Sequence, residues 1–514
     1  MRRPSRPRSY LASASPAARA AGTRTTAAQG GGQVIIVQPD WVLVPEGERQ
    51  VLRRDHDVVI KDDRIEAVRP RRAGLDRQLR APGQLLVPGF ISGHTHTAAG
   101  VMTRGFIEEN PYEQVRGDDP SLPGMSLLRP MVLMEELTDE ELDDLTTLNL
   151  AEILRSGCTT QVEMSLSLKQ MQSYVRVAGR LGVRGYPSGM VPGMSRLMAI
   201  WGRSDDRLLR DSVPATLAEI EANLSYARRI NRADDGRIRP MMGPSVVTVH
   251  TDETFSAIRR AADELGNGIH LHIQNDWSRD TRVALRRQWG AREIEILRRV
   301  GLLDTTLFGA HCLGIDLAED LPLMASSRGF TFAHCPSAAG AAVLPSSQPY
   351  PEALAAGVNT SIGLDTHSND YLENVKLAVV QGRARAQLLG AASPVPVVEP
   401  TIWHALESAT LGGARGLGRP DLGRIVAGAK ADLCTIDVSG LLVGNATPTR
   451  YPHNNLLYAN GLSVRNVMTD GHWQLLDGGF TFGDSEQIQE RGASVVRKVW
   501  ARLEDEGFFI TMPR

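Results

Sequence analysis

Eight apolar runs recur along the middle of this chain, beginning near residues 85, 159, 183, 237, 268, 305, 330 and 358, with helical patterns between them. A strand that is followed by a helix returns parallel to its predecessor, and eight such units predict an α/β fold of the TIM-like (β/α)8 barrel kind. The first intervening helix opens on a capping box, Thr138-Asp139-Glu140-Glu141, and stops at Gly157; others are expected over 217–230, 254–265, 291–300 and 372–389. Reactive side chains of such barrels stand at the C-terminal ends of strands. Here each of several runs ends in a polar residue.

The first run, Leu85-Leu86-Val87-Pro88-Gly89-Phe90-Ile91-Ser92-Gly93, ends in His94-Thr95-His96. Side chains at i and i+2 of a strand share a face, so the two imidazoles converge on one point, as a metal site requires. Later runs end in His272, His311, His334 and Asp365.

These stretches resemble the amidohydrolase superfamily, and within it the cytosine-deaminase-like branch of chlorohydrolases, guanine deaminase and adenosylhomocysteine deaminases. The resemblance rests on Pro88-Gly89-Phe90-Ile91-Ser92-Gly93-His94-Thr95-His96, Met102-Thr103-Arg104-Gly105, Gly309-Ala310-His311-Cys312, Ala333-His334-Cys335-Pro336-Ser337 and Gly363-Leu364-Asp365. It runs from about residue 33 to the end of the chain.

Three imidazoles and a carboxylate suit zinc, or Fe2+ as in some relatives, with one position left for water. His94, His96, His272 and Asp365 are the expected ligands. A metal so held lowers the pKa of bound water toward roughly 7. Asp365 can take the water's proton and His311 can hydrogen-bond the water or the developing oxyanion. His334 is expected to orient substrate, and His270, deeper in its strand, to be packed and hydrogen-bonded. Binuclear relatives commonly bridge two metals with a carboxylated lysine on a middle strand; the only lysine between His96 and His272 is Lys169, past the end of its strand. One metal is therefore expected, with Glu163 the other candidate bridge.

Deaminases of this branch usually carry a proton-shuttling glutamate three positions after the fifth-strand histidine, where this chain has Asn275 in His272-Ile273-Gln274-Asn275-Asp276. An amide gains and loses no proton near neutral pH. Either Asp276 replaces the glutamate, or His311 makes both transfers, or the leaving group needs little protonation, as chloride would not. The expected activity is hydrolytic displacement of an amino, substituted-amino or halide group from a nitrogen heterocycle, with amide hydrolysis, or a non-catalytic binding barrel, as alternatives. Substrate contacts are expected from Asn275, His250, Trp201 and His367, and from Glu108, Glu109, Asn110 and Tyr112 in the loop over 106–138.

A formal net charge of -2 and scattered arginines argue against a nucleic-acid partner. No apolar run is long enough for a membrane span. Cys158, Cys312, Cys335 and Cys434 show no metal or disulfide spacing and read as reduced and cytoplasmic, with Cys312 and Cys335 turned from the site toward the helices. Residues 1–32, basic and lacking acid, superficially resemble a transit peptide and are expected to be a disordered tail. A β-sandwich is expected from 33–84 and 419–484, flanking the barrel over 85–418, with a helical segment at 485–514 packed on the barrel or on a second subunit. Family habit implies a homo-oligomer acting on a small-molecule substrate.

Overall fold

In a computed structural model of the chain, the run from Leu85 is two strands rather than one. The structure describes residues 34–506 apart from 48, 73–77, 105–124, 202–208, 275–278, 339–347 and 445–449. Strands β1 (Val34–Glu46), β2 (Arg49–Arg54), β3 (His56–Lys61), β4 (Arg64–Pro70) and β5 (Gln78–Pro88) precede β6 (Phe90–Thr95), which carries His94. Gly89 separates β5 from β6: a Cβ there would lie 2.2 Å from Thr159 Oγ1, so only glycine lets the chain pass this close. The expected barrel boundary at residue 85 therefore moves to Gly89, because Leu85 to Pro88 pair with β1 and with a strand from the far end of the chain.

Two parallel sheets follow. The first joins β6, β7 (Cys158–Ser165), β8 (Arg184–Val191) and β9 (Gly243–Pro244); the second joins β10 (Ile269–His272), β11 (Leu307–Ala310), β12 (Phe330–His334) and β13 (Thr360–Ile362). Isolated parallel bridges connect them at both edges, Met242 to Ile269 and Val246 to His272 on one side and Thr95 to Asp365 on the other. The strand expected from residue 237 is reduced to β9 and a bridge from Gly185 to Ile238, since Pro240 and Pro244 have no N–H to give a ladder.

Helices lie between the strands as the sequence periodicity predicts. Asp139–Arg155 begins with the expected box, Glu141 N donating to Thr138 Oγ1 and Thr138 N to Glu141 Oε2. Val213–Ile230, Asp252–Leu265, Glu293–Arg299 and Tyr371–Leu389 follow. The last helix, Ser485–Asp505, packs Val495, Val499 and Leu503 against Leu142, Leu145 and Leu148 of Asp139–Arg155. Among the described residues no helix is long and apolar enough to cross a membrane.

Both ends of the chain build one nine-stranded sheet, in which β14 (Leu433–Asp437), β15 (Val464–Thr469), β16 (His472–Leu476) and β17 (Gly479–Phe480) extend β5 and β1. The strands are joined in one hydrogen-bonded sheet, and residues of separated strands in it, Ile65 and Met468, belong to one core. Leu85 and Val87 face the main core, while Leu86 packs with Val42, Ile60 and Met468 on the opposite side, the period-2 alternation of a strand covered on both faces. Arg184, 1% exposed, joins this sheet to β8 through Asp432 at 2.8 Å and Asp470 at 2.6 Å.

Candidate active site

His94 stands near the end of β6 and His96 just beyond it, His272 ends β10, and His311 and Asp365 stand beyond β11 and β13; all five are buried. His311 and Asp365 have φ of 71° and 57°, left-handed values that cost a non-glycine residue energy and recur at functional sites. This turn of the backbone ends each strand. Leu364 N and Asp365 N both donate to the His94 carbonyl oxygen, holding the two strand ends together.

Main-chain carbonyls set the imidazole tautomers. His96 Nδ1 lies 2.6 Å from Met164 O and His272 Nδ1 lies 2.9 Å from Ser245 O, and a carbonyl can only accept, so both Nδ1 atoms carry the proton. Burial is the main cause that lowers the pKa values of His94, His96 and His311, and it pushes His272 down to about 3, so the rings are neutral. The two Nε2 atoms therefore present lone pairs to each other across 3.1 Å. Among the described residues nothing satisfies that contact. His94 Nε2 is likewise buried without a hydrogen-bond partner among the described residues, while its Nδ1 lies 2.7 Å from His270 Nε2. Asp365 Oδ1 stands 3.7 Å from His94 Nε2 and 3.6 Å from His96 Nε2. Its other oxygen lies 3.6 Å from His311 Nε2.

The imidazoles of His94, His96 and His272 form one group of donors suited to a divalent cation, and Asp365, grouped with His94, His311 and Cys335, stands beside it. Two imidazole nitrogens at about 2.0–2.1 Å from a tetrahedral zinc stand roughly 3.4 Å apart, close to the observed contact, and neutral imidazoles with a carboxylate are the forms that bind it. The two candidate bridges to a second metal are engaged elsewhere. Lys169 Nζ donates to the carbonyls of Glu135 and Leu137. Glu163 accepts from Thr97 and Ser165, and burial pushes its carboxyl up to about 7.

Three expectations need correction. His334 lies on the face of β12 shared with Phe330 and Phe332, which belong to the main core; its ring stacks on Tyr350 at 4.5 Å and its Nδ1 lies 3.0 Å from Gln348 Oε1. It is packed in the fold, with a buried Nε2 that has no hydrogen-bond partner among the described residues. The next residue takes the opposite facing, so Cys335 Sγ lies with His94, His311 and Asp365 donor atoms within 4.8 Å of one another, and only Cys312 joins the outer core. His250 is used up by the fold: Nε2 donates to Val191 O at 3.0 Å and Nδ1 accepts from Thr254 Oγ1 at 3.2 Å. His367 remains beside the site, with a buried Nε2 that has no hydrogen-bond partner among the described residues. Asn275, Asp276 and the acidic loop from Glu108 to Tyr112 lie outside the described residues, as does the side chain of Trp201, at the end of the helix Met194–Trp201. The Met164 and Ser245 carbonyls escaped the sequence because every residue carries one.

The family model described as Amidohydrolase family matches residues 85–473. The chain belongs to the amidohydrolase family. It is a hydrolase of carbon–nitrogen bonds, and it shares its α/β fold with the solved structures below. A 5-methylthioadenosine/S-adenosylhomocysteine deaminase of Natronomonas pharaonis is 31% identical over 438 residues, covering 84% of this amidohydrolase and 90% of the relative. One of the same name from Moorella thermoacetica is 29% identical over 447 residues, 84% of this chain and 92% of its own. Among solved structures, an atrazine chlorohydrolase from Arthrobacter aurescens TC1 complexed with zinc superposes with a TM-score of 0.73 at 20% identity, covering 90% of this chain and 100% of that one. An adenosine deaminase from Xanthomonas campestris with bound zinc gives 0.71 at 24% identity, covering 91% and 98%.

Proposed function

We propose that this amidohydrolase holds one zinc ion on His94, His96, His272 and Asp365 and replaces an amino, substituted-amino or halide group on a nitrogen heterocycle with hydroxyl. The observation that carries this reading is the pair of facing Nε2 lone pairs on His96 and His272, with the Asp365 carboxylate beside them. Zinc in such a site makes water a nucleophile near neutral pH. The protein's own groups do the rest. Asp365 takes the proton of the attacking water through the oxygen nearer His311, and His311 Nε2 hydrogen-bonds the oxygen that accumulates charge. As the tetrahedral carbon collapses, the carbon–nitrogen or carbon–halogen bond breaks. An amine leaves with the proton relayed from Asp365 and His311; a halide leaves without it.

Asn275 is the departure that bears on the leaving group, since it cannot protonate one. The bridges at both sheet edges support a closed (β/α)8 barrel, and the positions of Lys169 and Glu163 support one metal. The cytoplasmic, homo-oligomeric state expected above belongs to the same reading and is read by fractionation and sedimentation velocity.

Metal analysis of the isolated protein, followed by a panel of aminopurines, aminopyrimidines, chloro- and aminotriazines and cyclic amides, tests the proposal. Release of ammonia, amine or chloride with zinc bound is expected. Ring opening of cyclic amides alone would establish the amidase instead, and a protein that takes up no transition metal would refute both. Asn275→Asp should gain little if Asp276 or His311 already carries the proton.

A further inference from the structure

Two residues near the end of β7, Glu163 and Met164, hold His96 and its neighbours from three sides. Thr95, before it, pairs with Glu163 in the parallel ladder. Its own ring donates from Nδ1 to Met164 O at 2.6 Å. Thr97, after it, is held by the Glu163 side chain: its N–H lies 3.0 Å from Oε2 and 3.2 Å from Oε1, and its hydroxyl donates to Oε2. Ser165 Oγ donates to Oε1 at 3.0 Å, and Ser188 Oγ anchors the Glu163 carbonyl at 3.0 Å.

Glu163 is fully buried, and among the described residues no salt bridge engages it. A buried carboxylate without a cation is costly to keep unless hydrogen bonds replace its water. Here those bonds come from a main-chain N–H and two hydroxyls, and the N–H belongs to the residue next to a metal ligand. Both oxygens of the Glu163 side chain are engaged by these donors. What it can do is fix the backbone on the far side of His96, so that the imidazole pivots neither about Thr95 nor about its own hydrogen bond to Met164.

We propose that Glu163 is a positioning residue for the metal centre, which holds His96 in its ligating pose by clamping Thr97. The proposal rests on the zinc reading above. Four hydrogen-bond contacts from Thr97 and Ser165 converge on the two oxygens of Glu163. Groups that orient a ligand typically change metal affinity about 10–100-fold when removed.

The test measures zinc affinity by chelator competition, the visible spectrum of the cobalt-substituted protein, and the melting temperature of the metal-free protein, for wild type, Glu163→Leu, Glu163→Gln and Glu163→Asp. Glu163→Leu should bind zinc about 10–100-fold more weakly, with a changed cobalt spectrum, while Glu163→Gln, whose amide oxygen still accepts the Thr97 N–H, should stay within about threefold. If Glu163→Leu does not fold, Glu163→Asp decides: its carboxylate keeps the charge but falls short of Thr97, and weaker zinc binding with an altered spectrum is expected. Zinc affinity within about twofold of wild type and an unchanged spectrum, in whichever of the two folds, would overturn the proposal. Failure of wild type itself to bind zinc is a different result and would remove the metal reading.

Discussion

His96 and His272 face each other across 3.1 Å with both Nε2 atoms unprotonated, each ring donating its Nδ1–H to a main-chain carbonyl. Two lone pairs at that distance repel unless a cation lies between them. The isolated protein should carry one zinc per chain, and His272→Ala should reduce zinc content below a tenth of wild type under matched dialysis. Full occupancy in that variant would contradict the assigned ligand set.

Removing the metal should also cost stability. A ligand present at 100 times its dissociation constant stabilises the native state by about 2.7 kcal/mol, so chelation should lower the melting temperature and added zinc should restore it. A melting temperature indifferent to chelation of a zinc-loaded sample would argue that the ion does not bind at this buried cluster.

Asp365→Asn keeps the shape of the side chain but removes its ability to accept a proton. Turnover should fall by at least about 10²-fold, the low end for a lost acid–base group. A near-normal rate would refute the role.

His311 and His334 follow adjacent strands, yet only His311 faces Asp365. His311→Asn should lower kcat by about 10²–10⁴-fold. His334→Asn should instead leave kcat within severalfold and lower the melting temperature, as loss of the Tyr350 stack and the Gln348 bond requires. Equal catalytic losses would place His334 back among the substrate contacts.

Acid should destabilise the fold through His250, which burial brings down to about 4 from an ordinary value near 6.5. Between those values the unfolded chain holds a proton that the folded chain lacks, so stability falls as pH drops from about 6.5 toward 4, by up to about 1.4 kcal/mol per pH unit for this group. Below about 4 its contribution to the slope ends. Denaturant titrations across this range should show a shallower slope in His250→Gln.

Arg184 separates two carboxylates that the fold buries, Asp432 and Asp470. Arg184→Met leaves both facing each other with less compensation, and a loss of about 3–5 kcal/mol is expected from equilibrium unfolding. A variant as stable as wild type would mean that the neighbouring Lys430 and Arg237 suffice.

Alternation of apolar runs with helical patterns, a polar residue at the end of each run, the paired imidazoles of His94 and His96 and the capping box at Thr138 are local regularities, and local regularities survive in a sequence. The sequence by itself therefore determined the α/β architecture, the strand ends that meet at the site and the kind of ion they suit. It did not show that Gly89 divides a continuous apolar run between two sheets, because that depends on the approach of Thr159. The opposite facings of His334 and Cys335 escaped it too, since facing depends on how a strand is seated against its neighbours. Most of all, the carbonyls of Met164 and Ser245, 68 and 27 residues from the imidazoles they orient, carry no side-chain signature. Only the tertiary structure brought them there, and with them it decided which nitrogen of each ring is bare.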